Sequence, residues 1–244
     1  MIKKFLTLTA AFVFAAALSA NAGQVVVGTN AEFPPFELTD DNNAIIGYDI
    51  DIITAVGKAA GFEVVMQNQA FDTLIESLES GKIDAVISGM TITDARREKI
   101  DFSNPYYNAA QVIVVQGGVD GYTRIGDIKG KKIGVQLGTT GAGMAEEVMG
   151  KDNPDLKQFR KYNEVFTDLR LGRIDAVVVD LPVANAYLRN IPGLKISSPP
   201  MSEEQYGIGV RKGNADLLKQ INDGLAAIRA NGEFDKITEK WFQN

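Results

Sequence analysis

Thr91-Ile92-Thr93-Asp94-Ala95-Arg96-Arg97 gathers a hydroxyl, backbone N–H groups and a guanidinium directly after an apolar strand. That combination suits a carboxylate, because arginine presents a rigid fork that binds two oxygens at once. The same letters also read as a helix capped by Thr93 with exposed arginines. Gly138-Thr139-Thr140-Gly141 lies between a strand and a helix, where N–H groups at the helix start form a second anion site. It is no P-loop, since the Lys-Ser/Thr pair is missing, and most Gly/Thr turns merely reverse the chain. Asp180 closes another apolar strand. A carboxylate there meets an ammonium group, or else it caps the helix that starts at Leu181-Pro182. Phe33 and Phe71 stand in or beside loops after strands, where they sandwich a ligand side chain or join the core.

The elements that would position these groups repeat. Gly81-Lys82-Ile83-Asp84-Ala85-Val86 returns 91 residues later as Gly172-Arg173-Ile174-Asp175-Ala176-Val177. Each copy follows an amphipathic helical run and leads into a short apolar strand. The first runs on through Ile87-Ser88-Gly89-Met90-Thr91, offering Gly89, Met90 and Thr91 as candidate ligand groups; the second ends in Val178-Val179-Asp180. Ligands of open α/β sheets sit at the carboxyl ends of the strands. Two such edges facing each other would make a cleft between two α/β lobes.

Along the chain, residues 25–29 read as a buried strand and 30–37 as a loop around Pro34-Pro35. Asp40-Asp41-Asn42-Asn43 reads as hairpin turn residues, because it lacks the glycine and distal glutamate of a calcium loop. A helix follows Gly47, then a strand over 63–66. Phe71, Leu74, Ile75 and Leu78 keep the stripe of a helix against a core, stopped by Gly81. A second series has strands at 111–115, 132–136 and 176–179, with helices opening at Gly138 and at Leu181. A strand over 206–210 precedes two closing helices, 215–230 and 234–242. No long linker intervenes. The chain therefore reads as crossing between lobes at about 111–115 and 206–210, with lobe 1 formed by 23–113 and 208–244 and lobe 2 by 114–207.

Residues 1–22 read as an export signal: Lys3 and Lys4, an apolar run from Phe5 to Leu18, then Ala20-Asn21-Ala22 before a cleavage point at Gly23. The remaining 222 residues suffice for two cores of about 110 residues each. With no cysteine or histidine, disulfides, thiolate and imidazole metal ligands and histidine triads are excluded. Removing Lys3 and Lys4 from 25 basic side chains leaves 23 against 31 acidic, a net charge of −8. Such a surface repels nucleic acid and anionic membranes. The expectation is a soluble periplasmic protein, monomeric, without cofactor or metal.

Gly47-Tyr48-Asp49-Ile50-Asp51-Ile52 resembles the signature of the polar amino-acid family of bacterial extracellular solute-binding proteins. Gly28-Thr29-Asn30-Ala31-Glu32-Phe33-Pro34-Pro35-Phe36, Gly89-Met90-Thr91-Ile92-Thr93, Arg96, Asp101-Phe102-Ser103, Pro105-Tyr106-Tyr107, Gln205-Tyr206-Gly207 and Lys240-Trp241-Phe242 extend the resemblance over essentially the whole mature chain. It implies a two-lobed periplasmic-binding-protein fold, each lobe a mixed sheet flanked by helices, joined by two hinge crossings. It also implies delivery of an amino acid to an inner-membrane ABC permease. Arg96 would hold the ligand α-carboxylate with Thr91 and the N–H of Thr140, beside Thr139. Asp180 would take the α-ammonium with the carbonyl of Gly89. Phe33 and Phe71 would flank the side chain, with Asn30 and Gln136 at its distal end and Glu32 as a candidate charge at the cleft mouth. Asn30 stands where members for basic or amide ligands often carry Asp. The glutamine-binding type has lysine at Gln136 and histidine at Val179. Gln136 to Gly141 and Pro182-Val183-Ala184-Asn185 are more similar to the arginine-binding type, so arginine leads, then glutamine or lysine. A dehydratase on the same scaffold, which needs a positioned general acid, and a ligand-presenting sensory protein are the alternatives.

Overall fold

Residues 23–242 are described by a computed structural model; the expected export signal at 1–22 lies outside the described residues. Two five-stranded mixed sheets form the frame. In the first the order is Glu63–Asn68, Gln24–Thr29, Ala85–Val86, Gly209–Arg211, Ile100–Phe102. The first three are parallel, and Gly209–Arg211 runs against both of its neighbours. In the second the order is Leu156–Phe159, Ile133–Gln136, Ala176–Asp180, Gln111–Gln116, Leu194–Ile196, with Gln111–Gln116 antiparallel to both flanking strands.

The repeated hexapeptide has the same job in both sheets. Its glycine ends a helix in the left-handed region, φ +75° at Gly81 after Leu74–Glu79 and +68° at Gly172 after Tyr162–Arg170. Its aspartate accepts a backbone N–H from the start of the neighbouring strand or just before it: Asp84 from Val26 at 2.9 Å, Asp175 from Lys132 at 2.8 Å. Its isoleucine lies under a glycine of that strand, Ile83 under Gly28 and Ile174 under Gly134, where a Cβ would collide with it. Register and packing are thus set by the same three residues in each lobe. The strands that follow, Ala85–Val86 and Ala176–Asp180, hold the same third place in their sheets.

The crossings differ from the expectation in two respects. Residues 111–115 are not a connection. They belong to the second sheet, and Val112 to Val115 are fully buried against Ala176–Asp180 and Leu194–Ile196. An apolar strand reads alike whether it spans lobes or lies inside one. The connection comes earlier, where Tyr107–Ala109 pairs antiparallel with Glu204–Tyr206 as a two-stranded hinge. On the return path the expected strand 206–210 is split: Tyr206 ends the hinge strand, and Gly209–Arg211 starts the next pairing in the first sheet. No helix among the described residues is long and apolar enough to cross a membrane.

Candidate functional site

Both strand ends open on one narrow pocket between the lobes. Asn30, Phe33, Phe71, Gly89, Thr91, Arg96, Gln136, Thr139, Thr140 and Asp180 all line it, joined by Glu37 and Ser88. Met90 does not. Alternation along the chain turns its fully buried side chain into the cluster of Leu74, Leu78, Ile83 and Val86.

Arg96 lies on the short helix Asp94–Lys99, whose N-cap is Thr93, accepting from the Arg96 N–H at 3.2 Å. The cap is real, and Arg96 lines the pocket beside it. Nη1 donates to the Thr91 carbonyl at 2.7 Å, Nη2 reaches across the cleft to the Gly138 carbonyl at 3.0 Å, and the Phe71 ring lies 5.3 Å from the guanidinium carbon. Among the described residues no carboxylate pairs with it within 4.0 Å. Across the cleft, Thr139 caps the helix Thr140–Met149 by accepting from Ala142 N–H at 3.1 Å. The N–H groups of Thr140 and Gly141 lie in the first turn, where helix geometry supplies no internal acceptor.

Asp180 occupies the N-cap position of the helix Leu181–Asn190 but makes no side-chain cap hydrogen bond. Its carboxylate, 4 % exposed, turns to the cavity and accepts from the Tyr206 hydroxyl at 2.5 Å. Burial, reinforced by the charge of Glu204, pushes its pKa up to about 7. An ammonium group beside it would pull that value down again.

Glu37 and Ser88 were not foreseen. The Ser88 hydroxyl accepts from the Asn30 N–H and donates to Glu37 Oε1, both at 2.9 Å. Glu37 and Asp49 are fully buried together, and each keeps one oxygen without a partner among the described residues, Oε2 and Oδ1. Burial first, then the charge of Asp49, holds the Glu37 carboxyl well above the usual carboxylate range. Asp49 Oδ2 accepts from Gly89 N–H and from the Tyr106 hydroxyl, both at 2.7 Å. This fixes Gly89 at φ +50° under the Phe33 ring. Only tertiary approach brings Glu37 here, since its segment is an ordinary hairpin strand in sequence.

At the far end Asn30 and Gln136 bond each other across the cleft, Gln136 Nε2 to Asn30 Oδ1 at 2.8 Å. Gln136 Nε2 also donates to the Arg160 carbonyl at 2.8 Å, so both its hydrogens are engaged and its carbonyl oxygen is what it still offers. Glu32 lies outside the cavity and is paired with Lys161 at 3.0 Å.

The model of the bacterial extracellular solute-binding proteins, family 3, matches residues 25–244. The chain is similar to a probable histidine-binding protein of Neisseria gonorrhoeae, 39% identical over 93% of this chain and 87% of that one. It is equally similar to an ABC transporter arginine-binding protein of Escherichia coli, 39% identical over 96% of each. Among solved structures, an ancestral arginine-binding protein bound to arginine superposes with a TM-score of 0.87 at 46% identity, covering 90% of this chain and 98% of its own.

Proposed function

The chain belongs to family 3 of the bacterial extracellular solute-binding proteins, and from that premise we propose that it binds a polar L-amino acid, arginine first, for an ABC importer. The observation that carries this reading is a pair of opposite charges that border one cavity without an ion pair between them. Arg96 and Asp180 both line it, and their charges stay available for a third partner. A zwitterion meets both. Its α-carboxylate would lie on the Arg96 guanidinium and the N–H groups of Thr91 and Thr140. Thr91 N–H donates to no acceptor among the described residues. The α-ammonium would lie on Asp180 and the Gly89 carbonyl.

Two features favour arginine. Two acidic side chains, Glu37 and Asp180, and one guanidinium, Arg96, border the pocket, a balance that suits a cationic ligand. At the distal end Gln136 presents an acceptor, which suits the donor-rich guanidinium, and Phe33 and Phe71 suit its flat faces. Glutamine and lysine follow, the first lacking the charge and the second the planarity. The protein would act outside the cytoplasmic membrane after removal of 1–22, closing its lobes on the ligand and presenting the closed form to the permease. Native mass spectrometry of protein purified without refolding, followed by calorimetry with arginine, glutamine, lysine and histidine, tests this. A retained arginine mass and tightest binding of arginine are expected; tight binding of glutamate, leucine or valine would refute it.

A further inference from the structure

We propose that Glu204 is a clasp that holds the closed state by accepting hydroxyl protons from both lobes on one carboxylate oxygen. Its Oε2 accepts from Thr91 Oγ1 of lobe 1 at 2.7 Å and from Thr140 Oγ1 of lobe 2 at 2.9 Å. Its Oε1 accepts from Ser202 Oγ at 3.0 Å. Glu204 itself stands on the hinge strand Glu204–Tyr206. That strand is fixed to lobe 1, because Ile92 N–H donates to the Gln205 carbonyl at 2.8 Å and Gly207 N–H to the Met90 carbonyl at 3.1 Å. One oxygen can serve both threonines only when the two lobes bring them to the same point. Ser202, which holds Oε1, accepts from Gln111 N–H of lobe 2 at 2.9 Å, so Glu204 is tethered on both sides and the double contact exists only on closure.

Another geometry would make Glu204 an internal competitor for the ligand carboxylate. Two observations oppose it. Glu204 forms no ion pair with Arg96 within 4.0 Å, and it lines the adjoining groove, which shares Thr91, Arg96 and Thr140 with the pocket, but not the pocket itself. It approaches the threonines from behind. With the Thr140 hydroxyl donating to Glu204 and accepting from Gln111 Nε2 at 3.2 Å, what Thr91 and Thr140 still present to a ligand is their backbone N–H groups. Glu204 is thus a positioning residue. It draws the hydroxyls outward and leaves the N–H groups to the ligand.

This inference rests on the amino-acid reading for its ligand but not for its mechanism, and the test separates the two. The chain has no cysteine, so Lys58→Cys and Lys151→Cys, both at exposed positions on opposite lobes, give a clean spin-label pair for interlobe distances. Stopped-flow dissociation of arginine supplies the second readout. Glu204→Ala is expected to speed arginine dissociation by about tenfold, as loss of charge-assisted hydrogen bonds implies, with association within about twofold of wild type. Glu204→Gln, nearly isosteric, should fall between, because its amide oxygen still accepts. Thr140→Val keeps the backbone N–H and should add little to Glu204→Ala while matching it alone. Unchanged dissociation in Glu204→Ala, or tighter binding, would overturn the clasp. Should wild type not bind arginine at all, the functional reading fails. The clasp then stands if Glu204→Ala lowers the closed fraction of the protein alone, and falls if that fraction is unchanged.

Discussion

The two copies of the hexapeptide build the same frame and then diverge at its exit. After Ala85–Val86 the first chain breaks at once into Ile87-Ser88-Gly89, where φ +50° and the Asp49 carboxylate hold the backbone turned. After Ala176 the second stays extended for the full five residues and ends in a buried carboxylate. On the proposed reading, one lobe would meet the ligand with backbone groups and a guanidinium borrowed from the next helix, the other with a fixed acid. The conserved work of the repeat is mechanical: stop a helix, seat a strand, fill under a glycine. The chemistry begins only where the two copies cease to be alike.

Breaking the anion side should have the largest effect. Arg96→Ala removes the group expected to hold the carboxylate, a loss on the order of 3–5 kcal/mol, or about two to three decades in affinity by calorimetry. Its fold should survive, since the native partners of the guanidinium are two backbone carbonyls; near wild-type titration would remove Arg96 from the site.

Breaking the cation side should cost somewhat less. Asp180→Asn keeps a hydrogen bond but no charge, and roughly one to two decades of affinity for α-amino acids should go. The pH dependence sharpens this. The carboxyl is raised to about 7 by burial and is lowered by a bound ammonium, so binding releases a proton below that pH. Affinity should fall by up to about tenfold per unit as pH drops below 7 and level off above it. In Asp180→Asn that slope should vanish; a slope equal to wild type would place the titrating group elsewhere.

Gly89→Ala tests the turn that separates the two copies. A Cβ there lies 2.5 Å from Phe33 Cε1, and a left-handed non-glycine residue costs about 1–2 kcal/mol in its own right. Affinity loss of about tenfold and a lower melting temperature are expected, whereas an unaltered melt and titration would mean that Phe33 moves freely. Asn30→Asp is the smallest change. It adds a charge at the distal end but loses the donor to the Gln69 carbonyl, now at 3.0 Å. A severalfold gain for lysine relative to arginine should remain in competition titrations.

The sequence made most of this frame visible because it depends on local pattern: periodicity for the helices, apolar runs for the strands, glycine for the stops. Arg96 and Asp180 could be proposed but not decided, since a cap and a ligand group share the same letters. For Asp180 only the side-chain cap falls away, because its carboxylate accepts from Tyr206 rather than from its own helix. Met90 was misjudged because the parity of an irregular strand end is set by the turn at Gly89. Glu37, Ser88 and Glu204 leave no local signal: Glu37 meets Ser88 across 51 positions of chain and Glu204 meets Thr91 across 113, through folding alone.

The central claim is that both charged ends of an α-amino acid are read at once. Calorimetric titration of the wild type with arginine, agmatine and des-amino arginine tests it most directly, since the analogues lack one end each and keep the guanidinium. Arginine should bind at least about a hundredfold more tightly than either analogue. An analogue that binds as well as arginine would show that the corresponding charge, Arg96 for agmatine or Asp180 for des-amino arginine, has no part in recognition.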